Sequence, residues 1–106
     1  MKMIEPLLLR GEKNALSTVE LVRITGFKSA RELQKAIEAE RAQGALILSV
    51  SGCDGGYFLP ADGETGTREI ARFVATLQAR ALNTLRSLRA AKAALEQCAG
   101  QIEVDV

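Results

Sequence analysis

Histidine is absent from this chain of 106 residues, and so is tryptophan. The most common general base and the most common metal ligand are therefore missing. The two cysteines, Cys53 and Cys98, stand 45 positions apart and form no CxxC pair. Without a histidine they build neither a zinc site nor a Cys–His nucleophile, so no metal and no cofactor is expected. Two reduced thiols or one disulfide would account for them, and a reducing cytoplasmic setting favours the thiols. No motif joins a nucleophile to a base, so an enzyme is not expected. What remains is hydrogen-bonding chemistry. Arg31, Gln34, Lys35 and Glu38 lie at offsets of three, four and seven, one polar stripe of a helix. Arginine can pair with guanine O6/N7 and glutamine with adenine N6/N7, while Lys28, Ser29 and Lys35 suit phosphates. The bland reading of the same stripe is a solvated face on which Arg31, Lys35, Glu32 and Glu38 balance one another.

The stripe lies on the third of four predicted helices. Ile4, Leu7 and Leu8 predict a short first helix over residues 1–10, with Pro6 in its first turn and its end near Gly11. Residues 12–14 read as a polar connector. Ser17 and Glu20 form a capping box for a second helix over 18–25, with Leu21, Val22 and Ile24 on its apolar side. Gly26 stops it. Ser29 and Glu32 repeat the box for the third helix, which runs to about residue 43 with Leu33, Ala36 and Ile37 inward. Residues 45–51 change period, with Leu46, Leu48 and Val50 on one face and Ile47, Ser49 and Ser51 on the other. A glycine-rich turn over 52–56 and a second strand over 57–59, ended by Pro60, complete a β-hairpin. Tyr57 and Phe58 read as hairpin packing rather than a base-stacking platform. Cys53, beside Asp54, is a poor candidate for a redox-sensing thiolate.

Residues 61–66 read as a linker with two glycines. Residues 67–99 contain neither Gly nor Pro, which predicts a helix roughly 50 Å long. Thr65 or Thr67 can cap it, and Gly100 can close it. The expected organisation is a domain over 1–60, a linker over 61–66, a helix over 67–100 and a frayed acidic tail over 101–106. Ile70, Val74, Leu77, Ala81, Thr84, Leu88, Ala91, Leu95 and Cys98 alternate steps of four and three, a coiled-coil seam. Phe73 and Leu85 widen it. Such a helix can pair with a second copy, break near Asn83 and Thr84 and fold back, or dock on another protein. A homodimer is favoured, with Ile70, Phe73, Val74, Leu77, Ala81, Leu85, Leu88 and Leu95 at its interface, because the apolar face is too broad to stand alone. Cys98 then ends the row as a small core residue. The net charge of +1 conceals six cations against two acids within 67–99, an asymmetry suited to nucleic acid or an acidic partner. No apolar run approaches the ~20 residues of a membrane span, and no secretory signal is seen, so no membrane and a cytoplasmic location are expected.

The order helix, helix, turn, helix, hairpin, long helix resembles the winged helix-turn-helix family over residues 4–60. The likeness is carried by STVELVRITGFKSARELQKAIEAERAQGALI and GGYFLP. The segment SARELQKAIEAERAQGALI resembles the recognition helix and first wing strand of regulators of the biotin-operon-repressor type, and GGYFLP is similar to their returning strand. The whole chain resembles small winged-helix proteins of Gram-positive bacteria and their prophages, a likeness that carries no activity with it. The resemblance implies a mainly α fold with a small hairpin. It also implies contact with duplex DNA through Lys28, Ser29, Arg31, Gln34 and Lys35, and a dimeric transcriptional regulator of a prophage or mobile element. The alternative is a protein–protein adaptor or replication-initiation accessory factor that uses the fold without reading sequence. Two positions depart from the family. Glu40 occupies a site usually aliphatic, and is expected at an exposed edge or against an arginine of the long helix. The wing tip offers Asp54 and no cation, so it is not expected to anchor DNA.

Overall fold

The computed structural model describes residues 3–51 and 55–105, with side chains through Ala99. Gly52, Cys53 and Asp54, and with them the readings placed on the turn tip and on the Cys53 thiol, lie outside the described residues. The chain runs through 3-10 turns at Glu5–Leu7 and Glu12–Asn14, helices α1 (Thr18–Thr25) and α2 (Ala30–Ala42), strands β1 (Leu48–Val50) and β2 (Gly56–Phe58), and helix α3 (Gly63–Asp105). It is mainly helical, with one antiparallel hairpin and a long C-terminal helix. Two compact units divide it, Met1–Phe73 and Val74–Val106, so about three turns of α3 belong to the first unit.

Local signals decide α1 and α2. The Ser17 hydroxyl accepts from Glu20 N–H at 3.1 Å, and the Glu20 carboxylate accepts from Ser17 N–H at 3.2 Å, a complete capping box. Gly26 ends α1 in the left-handed region at φ 78°, where a side chain would be strained, and the chain turns directly toward α2. Ser29 caps α2 by accepting from Glu32 N–H at 3.3 Å, but the Glu32 carboxylate reaches back to Lys28 N–H at 2.8 Å rather than to Ser29. Leu21 of α1 and Leu33 and Ile37 of α2 are fully or almost fully buried with Ile4 and Ile47. Ile24, expected inward, is exposed, while Leu21 is buried and Val22 packs against the core. A second cluster joins Leu48, Phe58 and Phe73.

The hairpin pairs Leu48 with Phe58, Ser49 with Tyr57 and Val50 with Gly56. Its regular strand starts later than the alternation suggests, and Leu46 is exposed while Ala45 and Ile47 are buried. Residues 9–16 cover the other edge of β2. Leu16 and Tyr57 exchange N–H···O bonds of 2.9 Å each, and Leu59 N–H donates to Leu9 carbonyl at 2.9 Å. Phe58 is buried with Leu48 and Phe73, and Tyr57 packs half-buried against the first cluster.

The predicted first helix is replaced by tertiary bonding. Only Glu5–Leu7 forms a 3-10 turn, and Leu8 is already extended. Glu40 lies at the inward position of α2, 3% exposed, and its carboxylate accepts from Met3 N–H (3.1 Å), Ile4 N–H (2.8 Å) and Glu5 N–H (2.9 Å). It is thus neither at an exposed edge nor against an arginine. The expected connector at 12–14 is the second 3-10 turn, and Glu69 of α3 treats it the same way. Its carboxylate accepts from Glu12 N–H at 2.9 Å and from Ala61 N–H at 2.8 Å. The two buried carboxylates are satisfied by backbone donors.

The expected linker at 61–66 is also corrected, since α3 begins at Gly63. Gly66 sits against the Ala61 carbonyl so closely that a Cβ there would collide with it. Its glycine serves packing rather than slack. Thr67 does not cap the helix; its hydroxyl donates to the Gly63 carbonyl within the first turn, at 3.3 Å. Gly100 does not close it either, and the backbone stays helical through Asp105 in place of a frayed tail.

Candidate nucleic-acid interface

α2 is held by one face and offers the other. Leu33, Ile37 and Glu40 point inward, and Ala36 is half-buried. Lys28, Ser29, Arg31, Gln34, Lys35 and Glu38 are all exposed. The sequence therefore places the polar stripe on the solvent side of a helix whose inner side is fixed by packing and by three hydrogen bonds at Glu40. Among the described residues, no hydrogen bond or ion pair engages the side chains of Arg31, Gln34 or Lys35. Glu32, the acid nearest the helix start, is occupied by Lys28 N–H, so it does not tie up Arg31 or Lys35. Lys28 and Ser29 stand at the N-terminal end, where first-turn amides lack intrahelical acceptors and favour anions. Arg23, in the last turn of α1, is exposed as well. Sequence reading passed over it, although a cation just before the turn glycine is a visible signal.

Arg41 is a different kind of arginine. Its Nε and Nη2 donate to the Ile47 carbonyl at 3.0 and 2.7 Å, and its guanidinium lies 5.0 Å from the centre of the Phe73 ring. It stacks and bonds at once, which suits a planar cation to an internal joint rather than to a ligand.

The proposed interface residues of the last helix fall into two groups. Phe73 is buried against Leu48 and Phe58, and Ile70 is half-buried beside them, so their apolar surface is used within their own unit. Val74, Leu77, Ala81, Leu85, Leu88 and Leu95 are exposed, as is every residue from 74 to 99. The helix is unbroken at Asn83 and Thr84, and its leucines from Leu77 to Leu95 are 41–68% exposed. Cys98 is a free thiol, exposed in the single chain. Among the described residues no cluster of three potential metal ligands occurs, and no helix is long and apolar enough to cross a membrane. Compared with family models, curated proteins and solved structures, the chain matches none.

Proposed function

We propose that this protein is a small, non-enzymatic DNA-binding regulator of the winged helix-turn-helix type, gripping duplex DNA with α2 and pairing with a second copy through α3. The observation that carries the reading is the uncommitted set Arg31, Gln34 and Lys35 on the exposed face of a rigidly packed helix. An exposed helix with free donors fits the ~12 Å major groove, where arginine and glutamine discriminate bases and lysine holds the backbone. The glycine turn between α1 and α2 and the hairpin after α2 support the same arrangement. In keeping with the resemblance, the regulated genes belong to a prophage or mobile element.

Titration of labelled duplex fragments at several salt concentrations tests this reading. Each neutralised phosphate contributes about −0.9 to the slope of log K against log salt. With Lys28 and Lys35 each engaging a phosphate in each copy, a dimer gives a slope of about −4 or steeper. Binding no tighter than that of an unrelated neutral protein refutes it. The exposed apolar face of residues 74–99 favours a second reading, an adaptor that docks α3 on another protein. Wild-type chain that stays monomeric in solution and ignores DNA supports that reading instead.

A further inference from the structure

Residues 74–99 form a helix with no covering surface, yet Val74, Leu77, Ala81, Leu88 and Leu95 line one seam. Resting on the dimer reading above, we infer that this face is covered by a second copy of the chain running antiparallel, with Leu88 packed on Ala91 of the partner subunit, Leu95 on Thr84 of the partner subunit, and Ala81 on Cys98 of the partner subunit. Size complementarity favours this over the parallel pair. In a parallel pair each seam residue meets itself, so Ala81, Thr84 and Ala91 form three thin layers between the wide layers of Leu77, Leu88 and Leu95. Helices held apart by leucine leave voids at alanine, and voids of that kind destabilise a core. Run antiparallel, the seam sets a leucine against a small residue at its central layers.

The register follows from the same criterion. Sliding one heptad one way puts Ala81 on Ala91 and Leu77 on Leu95, small on small and large on large. Sliding it the other way puts Ala81 against the acid Asp105. At the rim the aliphatic stem of Lys92 lies along Leu85 of the partner subunit.

Charge points the same way. Arg80, Arg86, Arg89 and Lys92 are the charged residues of 74–92, whereas Glu96, Glu103 and Asp105 are those of 93–106. An antiparallel pair lays each acidic end beside Arg80 of the other copy and opposes the two helix dipoles, while a parallel pair sets like beside like.

Cys98 supplies the test. In a Cys53→Ser chain it is the only thiol. In the antiparallel register two Cys98 residues are 17 positions out of step, about 25 Å along the pair, far beyond the ~7 Å that a disulfide spans. In a parallel pair they face each other. Sedimentation first establishes the mass, and mild oxidation then reads the orientation. The expected result is a dimer by sedimentation and no covalent dimer from Cys53→Ser alone. Adding Ala81→Cys should give near-complete conversion to covalent dimer, which is lost again when Cys98→Ser is added. Rapid cross-linking through Cys98 alone overturns the proposal, and so does a monomer in solution or a failure of Ala81→Cys to cross-link. DNA affinity is measured separately on the same chains. Loss of DNA binding with intact cross-linking refutes the DNA reading and leaves the antiparallel pair standing.

Discussion

Glu40 is the residue whose replacement separates two lines of reasoning. By resemblance to winged-helix sequences its position calls for an aliphatic side chain, so Glu40→Leu should be neutral or stabilising. The structure predicts the opposite, because the carboxylate holds three backbone N–H groups at 2.8–3.1 Å. A hydrogen bond to a charged group contributes about 1.5–3 kcal/mol. The three are not additive, since Met3 and Glu5 are only part-buried there and water can replace the acceptor. The Ile4 amide is buried and loses its partner outright. A loss of about 3 kcal/mol follows for Glu40→Ala and for Glu40→Leu, with Glu40→Gln between them and wild type. A unit of this size has roughly 4–11 kcal/mol in all, at about 0.05–0.15 kcal/mol per residue. At about 4–8 °C per kcal/mol, the melting temperature should fall by about 12–24 °C. The chain holds one tyrosine, Tyr57, and no tryptophan, so intrinsic fluorescence reports on the N-terminal unit alone. Melts and urea titrations should be run at one protein concentration, because pairing shifts apparent stability. Glu40→Leu within about 0.5 kcal/mol of wild type would refute the assignment, since that is the range of a neutral surface change.

Three further outcomes are expected. Arg31→Ala and Gln34→Ala should each alter the preferred DNA sequence by roughly 1–3 kcal/mol, and Lys35→Ala should weaken all sequences alike; selection from a random pool distinguishes them, and uniform losses for all three would show that α2 reads no bases. The double change Leu77→Ala with Leu88→Ala should shift the sedimenting species from dimer to monomer and leave the tyrosine-monitored melt of a monomeric sample unchanged, because both side chains are exposed in the single chain. Gly66→Ala should destabilise the N-terminal unit by more than the gain of about 1 kcal/mol that alanine normally brings to a helix interior, because its Cβ meets the Ala61 carbonyl; a more stable variant in urea titration would contradict that contact.

What the sequence discloses depends on how far apart the partners are. The Ser17–Glu20 box spans three residues, and both its partners are in view when the segment is read. The polar stripe of α2 is equally local, so the exposure of Arg31, Gln34 and Lys35 follows from spacing alone. The acceptor for the amides of residues 3–5 lies 35 to 37 positions away, and a window reading of residues 1–10 sees only helical periodicity. Pro6 and the bonding of Leu9 and Gly11 to Leu59 decide against that helix. The linker misreading has a different cause. A glycine signals slack in a local reading, but Gly66 is needed where the Ala61 carbonyl, five residues earlier, packs against it. Phe73 looks like seam by periodicity, and only the fold shows that it is already occupied by Leu48, Phe58 and Arg41.

The pinning of the N-terminal segment by Glu40 and Glu69 bears on how the unit opens. Chain ends usually fray at almost no cost in free energy. Here, peeling away residues 3–5 would strip a buried carboxylate of its donors, and lifting residue 12 would do the same at α3. Leaving either charge bare in the core is expensive. The amides of Ile4 and Glu12 should therefore exchange with solvent deuterium as slowly as those in the middle of α2, through opening of the whole unit. Removing the first five residues would act as a core mutation, because it deletes the donors that make Glu40 tolerable where it lies.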